Sequence, residues 1–433
     1  MITVVGTGTG AAPAESLAGA ELVVGGRRHL DAAAVPAGAE RVVLGPLAPA
    51  LDVIERHLDK GSRVVVLASG DPGFFGIVRV LAERFGAAAL DVRPGVSSVA
   101  AAFARVGVPW DDAVVVSAHG RDLRTAVNVC RARPKVAVLT GPGAGPAELG
   151  AALAVGGAEE GRRAGAAASG LVAQFPAPLQ RVLLVASALG TRDERVERVT
   201  PSEAAARDWG TAVSVVLCLD ERRALGAVRT VAGPPPGPSQ WALEEDAFAH
   251  RDSMITKFEV RALALARLGP RLGDLVWDVG AGSGSVAVEC ALLGAAVVAV
   301  EKAADGVERI RANADAHGVD VQVVHGGAPG ALAELVDDPD AVFVGGGGRE
   351  LPEIVAVCAR RARRSVVVAM AALDRVPGVR AALTDAGFDC EGVLLQSSRL
   401  APLPGDVTRL AATNPVFLLW GVRNPAYREG VAQ

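Results

Sequence analysis

The sequence contains few aromatic residues, few lysines and no clustered cysteines. Aromatic side chains make up 4% of the 433 residues, and the five cysteines are widely scattered, with no C-x-x-C pair and no histidine nearby at metal-ligand spacing. We therefore expect a reducing compartment and no structural metal. The formal charge of -4 provides no basic excess, which argues against non-specific binding to nucleic acid.

Long apolar runs are also missing from the sequence. None reaches the length of a membrane span, and residues 1–6 lead directly into a predicted strand without the basic start of a secretory signal. We expect a cytoplasmic protein with no membrane partner. Half of the residues are hydrophobic and 51 are glycine, a composition typical of close-packed α/β layers.

Short β-branched runs alternate with helix-length segments rich in Ala, Leu and Arg along the whole chain. Such runs are typical of buried strands in a parallel sheet, so the pattern predicts βα units and the α/β fold class. The predicted strands are residues 64–67, 114–117, 136–139, 182–185, 213–218, 275–279, 297–300, 321–324, 341–344, 365–369 and 416–420.

A proline-rich segment at residues 233–239 predicts the main domain boundary, because three successive prolines neither donate sheet hydrogen bonds nor continue a helix. Residues 157–180, rich in Ala, Gly and Pro, predict a loop insertion. A smaller break near residue 110 indicates two lobes in the first half. The expected organisation is a first module at 1–230, with lobes at about 1–110 and 111–230, a linker at 231–243 and a second module at 244–433.

The second half carries a glycine-rich loop, DVGAGSG at residues 278–284, between a predicted strand and a predicted helix at 285–293. Glycines there allow a ligand to approach the backbone, and the helix N-terminus favours an anionic group. A dinucleotide site requires G-x-G-x-x-G, whereas these glycines fall at 280, 282 and 284. Asp278 suits an ammonium group, and Glu301, at the end of the next predicted strand, suits ribose hydroxyls. A tight corner without a ligand is the alternative.

Five segments of the second half together resemble the decarboxylating precorrin methyltransferase module of cobalamin biosynthesis. They are HRDSMITKFEVR at 250–261, the glycine loop, VHGGAP at 324–329, DAVFVGG at 340–346 and NPVF at 414–417. The resemblance covers nearly all of residues 244–423 and implies a class I Rossmann-like fold that binds S-adenosyl-L-methionine. The cofactor residues that it implies, together with the loop, are Thr256, Asp278, Gly280, Ala281, Gly282, Ser283, Gly284, Glu301 and Ala328.

One departure from the family pattern and two alternative interpretations accompany this resemblance. The family has an aspartate where this chain has Gly327, so an adenine contact through that carboxylate is absent. Thr256 is also a candidate cap for a helix over residues 257–268, and residues 414–415 are also typical of a turn before a strand.

Four segments of the first half resemble the tetrapyrrole methyltransferase superfamily, and more narrowly its precorrin C-5 methylase. They are VGGRRHL at 24–30, SGDPGFFG at 69–76, RPGVSS at 93–98 and SAHGR at 117–121. The resemblance covers about residues 1–220 and implies a two-lobed fold with a cofactor site unlike a Rossmann loop. The cofactor residues implied are Gly6, Gly8, Ser69, Gly70, Asp71, Pro72, Ser97 and Ser98. The opening loop, GTGTGA at 6–11, lacks the proline and the acid that the family has there.

Basic side chains near these motifs are candidate ligands for a polycarboxylate substrate, because guanidinium groups bind carboxylates in a bidentate manner. A solvated helix start is the alternative for residues 27–29. The candidates are Arg27, Arg28, His29, His119 and Arg121 in the first module and Lys257 and Arg399 in the second.

The fusion of these modules in this order resembles a bimodular family that methylates a precorrin at C-5 and C-15 and decarboxylates the ring C acetate. Because an enamine carbon needs little help from a base, and the sequence indicates no Cys/His or Ser/His pair, we expect positioning in a dry cleft to dominate catalysis. The resemblance also implies that the chain can form a homo-oligomer through the second module. Two alternatives remain: a nicotinamide-dependent precorrin reductase, and a methyltransferase with only one active module.

Overall fold

The computed structural model describes residues 1–8, 10–154, 181–226, 230–234, 237–238, 242–251 and 255–424. The predicted loop insertion at 157–180 and part of the predicted linker lie outside these residues. The chain forms two compact units. The first consists of Met1–Leu123 and Pro134–Gly233, and the second consists of Arg124–Arg133 and Pro234–Gln433.

The first unit begins with a five-stranded parallel sheet in the order β3-β2-β4-β1-β5. Its strands are β1 (Ile2–Gly6), β2 (Leu22–Gly25), β3 (Glu40–Val43), β4 (Val64–Ala68) and β5 (Leu90–Arg93). The helices that connect and follow them are α1 (Ala14–Leu17), α2 (Arg27–Ala32), α3 (Leu47–Asp59), α4 (Val78–Phe85) and α5 (Ser98–Val106).

Both faces of this sheet are covered. Successive side chains of a strand point to opposite faces, so Val64 and Val66 pack in one hydrophobic cluster while Val65 and Leu67 pack in another. All four are fully buried. This arrangement explains why β4 is a continuous apolar run, and burial of each such side chain contributes roughly 1.5–3 kcal/mol.

The first unit continues into a second sheet, in the order β6-β7-β10-β8-β9. Its strands are β6 (Val114–Ser117), β7 (Lys135–Leu139), β8 (Arg181–Ser187), β9 (Arg195–Val199) and β10 (Ser214–Asp220). Only β6 and β7 are parallel, and the other neighbours are antiparallel. The helices of this region are α7 at residues 146–154 and α8 (Pro201–Ala205). Helix α6 (Leu123–Ala132), which follows β6 in the chain, belongs to the second unit from Arg124 onward.

The second unit is built on a seven-stranded sheet in the order β13-β12-β11-β14-β15-β19-β16. Five of its strands are parallel: β11 (Leu275–Val279), β12 (Ala296–Glu301), β13 (Gln322–His325), β14 (Ala341–Val344) and β15 (Ser365–Met370). Strand β19 (Val416–Arg423) runs antiparallel to both of its neighbours, β15 and β16 (Phe388–Leu395). The hairpin β17 (Ser398–Leu403) and β18 (Val407–Ala412) separates β16 from β19 in the chain. The helices are α9 (Phe258–Leu268), α10 (Ser285–Leu292), α11 (Ala304–Ala316), α12 (Gly330–Ala333), α13 (Leu351–Arg361) and α14 (Val376–Asp385).

Strand β11, in the interior of this sheet, is also buried on both faces. Leu275, Trp277 and Val279 pack in one hydrophobic cluster, and Val276 packs in the other. The α/β fold class is confirmed, and every strand predicted from the β-branched runs is present. Strands such as β3, β9 and the β17–β18 hairpin were not predicted, because their largely exposed sides lack a continuous apolar pattern. Within the described residues, no helix is long and apolar enough to cross a membrane.

Candidate functional site

A cavity of about 550 Å³ opens in the second unit. Its walls come from the segment before and at the start of α9, from the loops after β11, β14 and β15, and from single residues of α11, α13 and β19. The lining residues are Arg251, Ile255, Thr256, Lys257, Val260, Gly280, Ala281, Gly282, Ser283, Arg309, Gly345, Gly346, Gly347, Gly348, Leu351, Ala369, Met370, Ala371, Ala372, Arg375 and Val416.

The position of this cavity follows from the strand order. The first strand of the unit, β11, has β12 on one side and β14 on the other, so the connections after β11 and β14 leave the sheet in different directions. A crevice forms at the carboxyl ends of the strands where this reversal occurs, and ligands of open α/β sheets bind there. The glycine loop predicted from the sequence lies in this crevice.

The three glycines of the loop have left-handed backbone conformations, with φ of 72° at Gly280, 59° at Gly282 and 74° at Gly284. A Cβ atom on Gly280 would lie 3.1 Å from the backbone nitrogen of Gly346, and one on Gly284 would lie 3.0 Å from the side chain of Ile310. A Cβ atom on Gly282 would have none of the surveyed neighbouring atoms within 4 Å. Gly282 therefore leaves open space in the cavity, whereas the other two glycines permit close packing.

Asp278 lies behind the loop and is 1% exposed. Its Oδ2 atom accepts a hydrogen bond from the backbone N–H of Ala287 at 2.9 Å, and its buried Oδ1 atom has no hydrogen-bond partner. The pKa of this carboxyl is raised to about 7. Burial is the main cause and the negative charge of Glu301 adds to it, whereas the hydrogen bond from Ala287 acts in the opposite direction. Asp278 does not line the cavity, but it has an unused acceptor beneath the loop.

Glu301 holds the loop against the end of β12. Its Oε2 atom accepts from the N–H of Gly282 at 2.9 Å, and its Oε1 atom accepts from the N–H of Ala303 at 2.9 Å. The side chain is 8% exposed, and a Cβ atom on Gly306 would lie only 2.7 Å from its Cγ atom. Each carboxylate oxygen retains a lone pair for a second donor, such as a ribose hydroxyl.

Thr256 lines the cavity, and the segment that carries it is held by a buried ion pair. Arg261, which is 0% exposed, bonds to Glu289 on α10 and donates to the carbonyl oxygens of Thr256 and Leu243. Glu289 in turn accepts from the N–H of Leu243 at 3.1 Å. Lys257, not Thr256, occupies the N-cap position of α9, and no side-chain cap is present there. Residues 252–254 of the predicted motif lie outside the described part of the chain.

The two basic residues predicted to contact substrate in this unit both have acidic partners. Lys257 lines the cavity, and its Nζ atom lies 3.3 Å from Oε2 of Glu245. Arg399, on β17, bonds to Glu245 at 2.7 Å and to Glu259 at 2.7 Å, and it does not line the cavity. These contacts outweigh burial and lower the pKa of Glu245 to about 2. Both substrate assignments stay predictions.

Sequence reasoning missed several residues of the cavity. Arg309, from α11, and Arg375, which immediately precedes α14, line it, and Gly347 and Gly348 extend the loop after β14. For the two glycines and Arg375, the available signal was a location soon after the carboxyl ends of predicted parallel strands. Arg309 lies within α11 and had no such signal. Ala328, which was predicted to contact the cofactor, is partly buried against the hydrophobic core and does not line this cavity.

In the first unit, three predicted cofactor loops meet at the carboxyl ends of β1, β4 and β5. Gly8 and Gly70 form an antiparallel bridge. A Cβ atom on Gly6 would lie 2.4 Å from the carbonyl oxygen of Gly70 and 2.8 Å from the ring of Pro72, and one on Gly95 would lie 2.5 Å from the nitrogen of Gly8. The loops therefore touch through their backbones, which only glycine permits.

Two side chains of these loops have clear structural roles. Ser97 caps α5, because its Oγ atom accepts from the N–H of Ala100 at 3.1 Å, and Ser98 is the first residue of that helix. Asp71 accepts from the N–H of Gly73 at 2.8 Å, which closes a local turn. These contacts shape the loops without excluding a ligand role.

Contrary to the expectation from the sequence, the structure brings a Ser/His pair together. The Nε2 atom of His29 lies 2.8 Å from Oγ of Ser69, and Nη2 of Arg28 donates to the same oxygen at 2.5 Å. The pair is separated by 40 residues in the chain, but β2 and β4 are parallel neighbours with Gly25 opposite Leu67. Desolvation, followed by the charge of Arg28, lowers the pKa of His29 to about 4.

The remaining predicted substrate residues of the first unit are less closely grouped. Arg27 is exposed at the start of α2. The ring of His119 lies with Nδ1 3.3 Å from the carbonyl oxygen of Thr140, and the guanidinium carbon of Arg121 lies 5.8 Å from the ring centre of Phe75. Phe75 follows the loop that carries Ser69, so Arg121 approaches the same loop region. No group of three or more His, Cys, Asp or Glu side chains that could hold a metal occurs in the described ranges.

Comparison with known proteins identifies two family matches along the chain. The family described as Tetrapyrrole (Corrin/Porphyrin) Methylases matches residues 1–205, and the Precorrin methyltransferase domain matches residues 246–422. The precorrin-6Y C(5,15)-methyltransferase (decarboxylating) of Sinorhizobium sp is 38% identical over 338 residues, which are 77% of this chain and 74% of that protein.

Two further similarities cover part of the chain. The probable cobalt-precorrin-6B C(15)-methyltransferase (decarboxylating) of Pyrobaculum calidifontis is 38% identical over 171 residues, which are 38% of this chain and 87% of that protein. The crystal structure of a precorrin-6Y C5,15-methyltransferase from Geobacter metallireducens GS-15 has 30% sequence identity and a TM-score of 0.40. It covers 43% of this chain and 100% of that one.

Proposed function

This chain belongs to the family of precorrin-6Y C(5,15)-methyltransferases (decarboxylating), and from that premise we propose that it methylates a precorrin at C-5 and C-15 and removes the carboxyl group of the ring C acetate. The observation that carries the proposal is a pair of separate glycine-lined loop sites, one in each unit, each at the carboxyl ends of parallel strands. The first unit would act at C-5, and the second at C-15 and on the acetate.

Both sites would bind S-adenosyl-L-methionine, which supplies an electrophilic methyl group when bound. In the second unit, the fit rests on the unused Oδ1 acceptor of Asp278 and the open space above Gly282. Asp278 would hold the ammonium group, Glu301 the ribose hydroxyls, and α10 would present its N-terminus to the carboxylate. Thr256, Ala281 and Ser283 would complete the wall, and Ala328 would lie near the adenine.

In the first unit, the cofactor would bind where the three loops meet. Gly6, Gly8 and Gly70 let the loops pack backbone to backbone there, which fixes the shape of the junction that would hold the cofactor. Ser69 and Ser98 offer hydroxyl groups beside it, although Ser69 already bonds to Arg28 and His29. Asp71, Pro72 and Ser97 would shape the loops around the cofactor.

Catalysis would depend mainly on orientation. An electron-rich bridging carbon of the macrocycle would bond to the methyl group as the methyl–sulfur bond breaks and S-adenosylhomocysteine leaves, and the conjugated ring nitrogens would accept the electrons left by departing CO2. The protein would hold the reacting atoms in line and exclude water. In the first unit, His29 is a proposed substrate contact beside Ser69 and Arg28, in line with a reaction that needs little help from a base. Arg27, Arg28, His119 and Arg121 there, and Lys257 and Arg399 in the second unit, are proposed contacts to substrate carboxylates.

The direct test is incubation of the full chain with metal-free precorrin-6B and isotope-labelled S-adenosyl-L-methionine, followed by mass spectrometry. We expect a gain of two methyl groups and the loss of one CO2. A parallel incubation with the cobalt complex distinguishes the two pathway branches, and fusion of the two modules favours the metal-free substrate. An unchanged substrate mass in both incubations would contradict the proposal.

Two alternatives have their own outcomes. A nicotinamide-dependent reductase would bind NADPH but not S-adenosylhomocysteine in calorimetric titration, and the glycine spacing at 280, 282 and 284 opposes it. A chain with one active module would bind a single S-adenosylhomocysteine. Two binding sites per chain support the function proposed here. A homo-oligomer through the second unit is a separate proposal, which sedimentation analysis tests.

A further inference from the structure

Four cationic side chains line the cavity of the second unit, and three of them have a carboxylate partner. The pairs are Arg251 and Arg309 with Asp305, at 3.2 and 3.0 Å, and Lys257 with Glu245, at 3.3 Å. Arg375 has no such partner in the part of the chain that the structure describes, and its Nη1 atom is buried without any hydrogen-bond acceptor. One cationic residue of the cavity wall is therefore left without an ionic partner among the described residues.

A buried donor without an acceptor lowers stability, and the cost is larger for a charged group. Arg375 lines the cavity, so an anion that enters there can approach its side chain and offset this cost. The planar guanidinium matches a carboxylate, which accepts two parallel hydrogen bonds. A carboxylate-bearing ligand is thus the chemical class that Arg375 fits.

The position of Arg375 separates it from the proposed cofactor groups. It lies after β15, whereas Asp278 and Glu301 lie on β11 and β12, and the sheet order is β12-β11-β14-β15. Neighbouring strands are about 4.8 Å apart, so β15 lies roughly 10 Å from β11 and further still from β12. The cofactor carboxylate belongs at the N-terminus of α10, and the anion at Arg375 is a different one.

We infer that Arg375 binds a peripheral carboxylate of the precorrin and thereby fixes the macrocycle above the glycine loop of the second unit, an inference that rests on the proposed function. This carboxylate is not the one lost as CO2. An ion pair holds negative charge on the carboxylate, whereas departure of CO2 requires those electrons to move into the ring. Arg375 is therefore a substrate-binding residue for both reactions of this unit.

The test uses the full chain and three variants: Arg375→Gln, Arg375→Lys and, as a matched control, Arg380→Gln. Arg380 is exposed on α14, the helix that Arg375 precedes, and does not line the cavity. Product formed from precorrin-6B and ¹³C-methyl-labelled S-adenosylmethionine is resolved by NMR into C-5 and C-15 methyl signals, and CO2 loss is followed by mass spectrometry. S-adenosylhomocysteine affinity is measured by calorimetry.

For Arg375→Gln, we expect the KM of C-15 methylation and of decarboxylation to rise by roughly ten- to a hundredfold, the range expected for a lost charge-assisted hydrogen bond. C-5 methylation at saturating substrate and S-adenosylhomocysteine affinity should be unchanged, and Arg375→Lys should recover part of the loss because it keeps the charge. A KM equal to that of Arg380→Gln, a parallel loss of S-adenosylhomocysteine affinity, or identical defects in the Gln and Lys variants would overturn the inference. Failure of the wild-type chain to methylate C-15 would overturn the proposed function as well.

Discussion

The Nε2 atom of His29 receives two donors, the hydroxyl of Ser69 at 2.8 Å and the Nε–H of Arg28 at 3.3 Å. On the other side of the ring, Nδ1 lies 3.4 Å from Oγ1 of Thr7, whose hydroxyl donates to the carbonyl oxygen of Ala68. The proton of the neutral imidazole therefore belongs on Nδ1. The hydrogen bonds and the lowered pKa agree, because both disfavour a proton on Nε2.

His29 should titrate near pH 4, well below its ordinary value. Its folded pKa is lower than its unfolded pKa, so the stability that the neutral ring contributes is complete above about pH 6.5 and is lost as the pH falls toward 4. Histidine ring signals followed by NMR from pH 7.5 downward should show one residue with this low pKa. The signal should vanish in His29→Gln. If it instead titrated near pH 6.5, the hydrogen-bond arrangement described above would be wrong.

Ser69→Ala should weaken binding of S-adenosylhomocysteine at the first unit by roughly tenfold. The substitution removes a donor to His29 and an acceptor of Arg28, so the loop loses a charge-assisted hydrogen bond worth about 1.5–3 kcal/mol, only part of which would reach the ligand. Ser62→Ala, which removes an exposed contact to Glu21 in the same unit, is the control. Calorimetry on the full chain reports both sites, and equal affinities in the two variants would contradict a cofactor role for Ser69.

Asp278 should make cofactor binding in the second unit dependent on pH. Its folded pKa of about 7 lies above its unfolded value, so its contribution to the stability of the ligand-free chain is complete below about pH 4 and is lost as the pH rises through 7. A ligand ammonium group favours the ionised carboxylate. Affinity for S-adenosylhomocysteine should therefore rise between pH 6 and 8, with proton release on binding.

Asp278→Asn provides the control for this dependence. The amide cannot ionise, so affinity at the second site should be lower at pH 8 and nearly constant across the range, while the site in the first unit is unaffected. Calorimetric titrations in buffers of different ionisation enthalpy measure the released protons. A pH dependence that persists in Asp278→Asn would assign the titrating group elsewhere.

Alanine substitutions at two loop glycines should separate binding from packing. Both positions have positive φ, so each alanine costs roughly 1–2 kcal/mol in backbone strain. At Gly282 the added methyl group enters open space, so Gly282→Ala should mainly reduce affinity for S-adenosylhomocysteine. At Gly284 it meets Ile310, so Gly284→Ala should show the larger loss in denaturant midpoint. The reverse ranking of the two midpoints would refute this assignment.

Glu289→Gln should destabilise the second unit by about 3–5 kcal/mol, because it leaves the buried guanidinium of Arg261 without a charged partner. The same change should loosen the backbone near Leu243 and Thr256, since Arg261, which donates to both of their carbonyl oxygens, loses its charged partner. Urea unfolding measures the first effect, and hydrogen exchange near these residues measures the second. An exposed pair such as Arg198 and Glu221 serves as control, with a much smaller expected loss because solvent screens the two charges.

Much of the fold was predictable because burial leaves a local signature. The strands on either side of the cofactor crevice are apolar runs covered on both faces, and β11, β14 and β6 begin and end at the predicted residues. The glycine loop was also predictable from local sequence, because a left-handed backbone conformation strongly favours glycine. The β17–β18 hairpin escaped prediction because its side chains, such as Leu400 and Leu410, are exposed and alternate with no core-facing pattern.

The amino-acid sequence by itself determined the fold class, the glycine loops and the acidic residues at the ends of β11 and β12, because each depends on neighbours within a few positions. Only the tertiary structure decided which distant groups meet. In the tertiary structure Ser69 is hydrogen-bonded to His29, and Arg399 forms ion pairs with Glu245 and Glu259. Arg375 has no ionic partner in the described residues. The physical reason is that hydrogen bonds and ion pairs act over a few ångströms of space, and strand order sets those distances.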